Sequence, residues 1–460
     1  MRYNAHYFYP TLITMKKVEL LAPAGSLKTM RFAFAYGADA VYAGAARYSL
    51  RMRGNEFNDE NLKIGIDEAH ALGKQFFLTV NTMPHNYKLQ TAIRDLTPAL
   101  SAKPDACIMS DPGLIMLVKE AFPEMPIHLS VQANTVNWAT VKFWQQNGIS
   151  RVILSRELSL KEIEEIRQQC PDIELEVFVH GALCIAYSGR CLLSGYFNNR
   201  DPNQGTCTNA CRWSYKTHAA EEESEGSFIP TPDQIFSPDA LQGITDSRER
   251  HPAADGVYFL EEKNRPGEYM EITEDEHGTY IMNSRDLRAI EHVGELVKIG
   301  VDCLKIEGRT KSHYYAARTA QLYRRAIDDA YAGRAFNPQL NEKLEGLANR
   351  GYTDGFFVRR QIKAQQNYAT GSSNAATQQF VGEVVAYDEA KGLATIEAKN
   401  HFKTGDVVEV IHPSGNREVT IGELFDRKNC EIVEAAKGSG WLVQTDIGKV
   451  DTYTLLAKNL

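Results

Sequence analysis

Eight short apolar runs, most separated by room for a helix, constrain the fold of this chain more than any other feature. They are VELLAPA (18–24), AVYAGA (40–45), QFFLTVN (75–81), ACIMSD (106–111), IHLSVQA (127–133), RVILSRE (151–157), ELEVFVHG (174–181) and DCLKIEG (302–308). Each begins apolar and ends in polar residues or glycine, and amphipathic segments such as Asn58–Gly73, Leu160–Gln169 and Arg285–Gly300 lie between them. Near-continuous apolar strands alternating with helices indicate a parallel sheet covered on its faces. Eight strands is the number that closes an α/β barrel of the TIM type, (β/α)8. A doubly wound open sheet is the alternative, but no run leads into a glycine-rich dinucleotide fingerprint, and Pro23-Ala24-Gly25 is too short to count as one.

The rhythm breaks twice. Residues 182–280 form a long excursion between the seventh and eighth runs, rich in cysteine at its start and acidic after that. A polar stretch at 365–379 then leads into short β runs from 380 to 460, which read as a small all-β barrel or sandwich. Residues 1–17 precede the first strand and read as an extension, so the barrel domain spans 18–364. No apolar stretch reaches 18 residues, which excludes a membrane-spanning helix and suggests no membrane partner. The net charge of −8 argues against a polyanionic partner only until its distribution is read. Ser214–Tyr280 carries 16 acidic and 5 basic residues, leaving the rest of the chain at +3. The acidic segment reads as a solvated insertion.

Four cysteines fall within that excursion as C-x6-C-x15-C-x3-C, at Cys184, Cys191, Cys207 and Cys211. Gathered thiolates bind a soft metal centre, an iron–sulfur cluster or zinc. Structural zinc favours two tight pairs, and the first gap of six fits the corners of a cubane cluster better. Eight cysteines in 460 residues is far below the density of a disulfide scaffold. The other four, Cys107, Cys170, Cys303 and Cys430, sit singly and read as core fillers. A reducing cytoplasm is the natural compartment for such thiols.

In β/α barrels the reactive groups lie at the carboxyl ends of the strands. Those ends offer Asn81, Ser110-Asp111, Gln132, Ser155-Arg156-Glu157, His180 and Glu307-Gly308-Arg309, with the cysteine cluster opening onto the same face. His180, Glu157 and Glu307 are the candidates for proton transfer. Arg156, Arg309 and Lys305 suit an anionic ligand, since arginine forks hold carboxylates and phosphates at two points. The loop after the second run, with Arg47, Arg51 and Arg53 around Tyr48, suits a phosphate backbone with one stacking aromatic. Peptidase signatures are missing: there is no G-x-S-x-G elbow and no H-E-x-x-H motif. A Cys184–His180 dyad would remove one thiol from a four-thiol set. A scaffold with a structural metal loop remains the non-catalytic alternative.

The strings EVFVHGALCIAYSGRCLLS (176–194), GTCTNACRW (205–213), YIMNSRDLRAIEHV (280–293), LKIEGRTKS (304–312) and RGYTDGF (350–356) resemble the family known as collagenase-like peptidases of unknown catalytic type. The nearer resemblance is to its prephenate-dependent tRNA uridine hydroxylase branch, and it runs from about Val18 to the C-terminal β domain. This implies a TIM-like enzyme forming 5-hydroxyuridine at the tRNA wobble position. It further implies a 4Fe–4S cluster, prephenate as co-substrate, and as partners the tRNA anticodon loop and the iron–sulfur assembly machinery. Carried onto this chain, the ligands are Cys184, Cys191 and Cys207, with Cys211 as fourth. Some relatives take a ligand from the segment matching Tyr280–Ser284, where this chain has Met282.

Overall fold

The structure is a computed structural model. It describes residues 17–51, 55–183, 285–349, 351–358, 377–428, 430–438 and 440–460, together with the backbone of four strands between 215 and 272. All eight runs contain strands: β1 (Glu19–Pro23), β2 (Ala40–Gly44), β3 (Gln75–Val80), β4 (Ala106–Met109), β5 (Ile127–Leu129), β6 (Arg151–Ile153), β7 (Glu174–Ala182) and, after the long excursion, β13 (Cys303–Ile306). Neighbours pair in parallel from β1 to β7, and β13 pairs in parallel with both β1 and β7. The sheet is therefore a closed eight-stranded parallel barrel, as the periodicity implied.

Oxygen-bearing caps start most of the surrounding helices at the carboxyl end of the barrel. Ser26, Asn58, Asp111, Asn137 and Ser312 each accept a bond from a backbone N–H of the first helical turn. Ser159 and Glu162 form a reciprocal capping box. Asp111, one of the strand-end candidates, is thus occupied with Leu114 N–H at 2.8 Å.

Two elements differ from expectation. The run IHLSVQA leaves the sheet after Leu129, because the Ser130 side chain caps a 3-10 turn over Val131–Ala133. The segment Arg285–Gly300 opens with a strand, β12 (Asp286–Arg288), before its helix Val293–Ile299. β12 lies antiparallel to the end of β7 and extends the wall above the barrel. In the acidic insertion, β8 (Tyr215–Glu222), β9 (Phe228–Ile235), β10 (Tyr258–Glu262) and β11 (Tyr269–Ile272) form an antiparallel sheet, order β11-β10-β8-β9. Loop-like composition concealed these strands.

The barrel interior is not the usual filling of branched aliphatics. Arg151 on β6 bonds Glu19 of β1 at 2.7 Å and Glu174 of β7 at 2.8 Å, and lies 3.3 Å from Glu176. Glu176 also accepts from Lys305 of β13 at 2.7 Å. Glu176, Arg151 and Lys305 are all buried. Lys305 and Arg151 rest over the rings of Tyr42 and Phe77 respectively. Charges this deep stand only when paired.

After the barrel an antiparallel eight-stranded sheet spans Gln378 to Asn459, with its own apolar core. It docks on the helices Leu27–Ala35 and His313–Tyr331. Arg318 pairs with Glu409 at 2.7 Å, Tyr314 stacks on Phe380, and Glu383 receives Lys28 and His313.

Candidate active site

A cavity of about 100 Å³ opens at the carboxyl end of the barrel strands. Clefts for whole drug-sized ligands run to about 300–1,000 Å³, so this one takes a compact group. Its walls differ in chemistry. On the β6–β7–β13 side stand Arg156, Lys305, Glu307 and Arg309, joined by Arg51 from the loop after β2. On the β3–β5 side stand Thr79, Asn81, Ser130 and Gln132, all neutral.

The charged wall is tightly held. Arg156 donates to the Ala182 carbonyl at 2.7 Å and to Glu307 at 3.1 Å, and its guanidinium lies 3.9 Å from the centre of the Phe178 ring. Arg309 donates to Ser49 Oγ at 2.6 Å. Gly44 makes that contact possible, because a Cβ there would lie 2.7 Å from Ser49 Oγ and 2.8 Å from Arg309 Nη1. The Nε atoms of Arg156 and Arg309 are buried without a hydrogen-bond partner among the described residues. Burial alone would push Glu307 up, but the surrounding Arg156, Arg51, Arg309 and Lys305 outweigh it and hold its carboxyl below the ordinary range. Four cations thus face one carboxylate, and the net positive wall suits a small anion bearing carboxylates.

The structure brings Asn81, Gln132, Arg156, Lys305, Glu307, Arg309 and Arg51 together in this cavity. Lys305 is only 2% exposed and already serves Glu176, so it supplies field more than a free donor. Ser155 and Glu157 bond each other beside the cavity and do not line it. Arg47 sits on the outer rim with its side chain 75% exposed, 3.8 Å from Asp95. Tyr48, expected as a stacking aromatic, is buried, its hydroxyl 3.3 Å from the Lys88 carbonyl, and so ties the loop after β2 to the short helix Asn86–Leu89. Arg53 and the four cysteines Cys184, Cys191, Cys207 and Cys211 lie outside the described residues.

His180 is the displaced candidate. Between Phe178 and His180 the register of β7 against β13 slips by one residue, a bulge that turns the imidazole away from the cavity. It packs instead among the rings of Tyr315, Tyr323 and Tyr352. Burial, aided by Arg288 and Lys311, pulls its pKa down to about 3. An unfolded histidine titrates near 6.5, so the folded state resists a proton that the unfolded chain accepts. Stability is full above about pH 6.5 and declines by about 1.4 kcal/mol per unit as pH falls towards 3. Urea midpoints at pH 7 and pH 5 should therefore fall less far apart in His180→Asn than in the wild type; equal losses would refute this role.

Tyr42, Thr79 and Phe178 were missed from the sequence, though each is an inward position on a strand of period two. Among the described cysteines none gathers. Burial pushes the Cys107 thiol up to about 12 and raises that of Cys303, while Cys430 is exposed in the C-terminal domain.

Residues 25–367 match the model of peptidase family U32, and 376–457 match the peptidase family U32 C-terminal domain. The chain is 60% identical over 448 residues to tRNA hydroxylation protein P of Escherichia coli strain K12, covering 97% of each chain. It is 57% identical over 451 residues to the protein of the same name from Haemophilus influenzae, covering 98% of each. A solved structure of a U32 peptidase aligns over 66% of this chain and 98% of its own, with 11% identity and a TM-score of 0.36. On the strength of both domain matches and these full-length relatives, the chain belongs to peptidase family U32.

Proposed function

We propose that this protein is a tRNA hydroxylase that converts the wobble uridine to 5-hydroxyuridine, with prephenate as co-substrate and a cysteine-held 4Fe–4S cluster. The observation that carries the tRNA hydroxylase reading is the end-to-end similarity to tRNA hydroxylation proteins. The peptidase label of the family finds no support in the cavity, whose described lining contains neither cysteine nor histidine.

The finer reading rests on chemistry. Prephenate carries two carboxylates, and Arg156 and Arg309 stand on the wall that suits a carboxylate arm, the part of that molecule a cavity of about 100 Å³ admits. Anticodon loops expose unpaired bases that can be splayed out at low cost, and the cavity is large enough for a base edge, not a folded stem. Replacing a ring C–H by C–OH is a two-electron oxidation, which side chains alone do not supply. The four thiols Cys184, Cys191, Cys207 and Cys211 are the donor set that soft iron requires, and the chain passes from Ala182 on the cavity rim to Cys184 in two residues. Such a cluster, loaded by iron–sulfur assembly machinery, would supply redox capacity or a Lewis-acidic site. The protein's own residues bind the co-substrate, hold Glu307 ionised beside Arg156, and present the base.

The test is an extract of cells making the protein, given tRNA that lacks the modification, with and without added prephenate after small molecules are removed. Formation of 5-hydroxyuridine only with prephenate, and none with Cys207→Ala, supports the full reading. Formation without prephenate would remove the co-substrate from it, and activity of Cys207→Ala would remove the cluster.

A further inference from the structure

The amide of Gln132 is oriented by a chain of bonds that begins at the main chain. Leu50 N–H donates to Asn81 Oδ1 at 3.2 Å. A backbone N–H can only donate, so the Asn81 amide is fixed with its Nδ2 pointing onward. That Nδ2 donates to Gln132 Oε1, which also accepts from Ser130 Oγ at 3.2 Å. Gln132 is left with Nε2 as a buried donor that has no partner among the described residues. The residue is 4% exposed and lines the cavity. A buried amide donor left unmatched costs about 1–3 kcal/mol, so a fixed donor of this kind marks where a ligand acceptor belongs.

The donor stands on the neutral wall, across from the cations that suit carboxylates. Uracil offers a carbonyl acceptor at position 4, where cytosine offers an amino donor, and position 4 adjoins the carbon to be hydroxylated. Resting on the uridine hydroxylase reading above, we propose that Gln132 Nε2 donates to O4 of the target uracil and is the residue that rejects cytosine. With cytosine in the same pose two donors would meet and the buried amide would stay unmatched. Sites built around such a bond discriminate far more strongly than apolar ones do. Asn81 and Ser130 act as positioning residues, because without them the amide is free to turn its oxygen inward.

The experiment is a cycle between one side chain and one base atom, measured as kcat/KM for hydroxylation of an anticodon stem–loop RNA in extract from cells making the full chain. The target uridine is natural, 4-thio (a weak acceptor at position 4) or 2-thio. Wild type should lose about 5- to 150-fold with the 4-thio substrate, the equivalent of one unmatched donor, and little with the 2-thio substrate. Gln132→Ala, or the bulkier Gln132→Met should alanine fail to fold, should start lower on natural uridine and lose no more with 4-thio. A 4-thio penalty of equal size in wild type and variants would overturn the assignment. Failure of the wild type to hydroxylate uridine at all would instead remove the reading beneath it, and the assignment with it.

Discussion

Glu176→Ala is expected to lower the free energy of unfolding by about 3–5 kcal/mol, the scale of breaking a buried ion pair. The side chain is fully buried and receives Lys305 at 2.7 Å, with Arg151 3.3 Å away. Removing it takes from Lys305 its hydrogen-bonded carboxylate and leaves it the rings of Tyr42 and Phe178 and the more distant charge of Glu307. Arg151 keeps Glu19 and Glu174 and suffers less. Glu176→Gln keeps the shape and one acceptor and should cost less than alanine. Urea denaturation of the three proteins checks this. A loss under 1 kcal/mol for the alanine variant would mean that the interior network is not part of what holds the barrel closed.

Arg156→Ala should reduce kcat/KM for tRNA hydroxylation by about 10²-fold or more, the scale seen when a charge-stabilising donor is removed from a dry site. Two causes combine. The cavity loses one cation of the wall proposed to hold the anion, and Glu307 loses the partner that does most to offset its burial. The carboxyl pKa then rises, so the acid limb of the pH–rate profile should move to higher pH. Because the two residues act as a pair, Arg156→Ala with Glu307→Gln should be little worse than Arg156→Ala alone. Additive losses with an unmoved acid limb would show that Arg156 and Glu307 serve separate steps.

The barrel was legible because each strand is a short run of apolar residues ending in polar ones, and eight of them can close. What lies inside it was not. Arg151, Glu174 and Glu176 look like the polar margins of two strands, and only their alternate spacing on β6 and β7 hints that they point inward. The strand-end rule found Gln132, Arg156, Glu307 and Arg309 because side chains at those positions cannot avoid the mouth. It misplaced His180 because a one-residue bulge in β7 has no local sequence signature. The orientation of Gln132 depends on Leu50 N–H, 82 positions away in the chain, and so could not be read from the strand that precedes it.

The most direct measurement is nucleoside mass spectrometry of total tRNA from cells grown without oxygen, which silences any oxygen-dependent route to the same nucleoside. Three strains are compared: one lacking this protein, one restored with the wild-type chain, and one restored with Arg309→Ala. 5-Hydroxyuridine and its derivatives should vanish in the first, return in the second, and stay strongly reduced in the third. Undiminished 5-hydroxyuridine in the strain lacking the protein would contradict the hydroxylase reading.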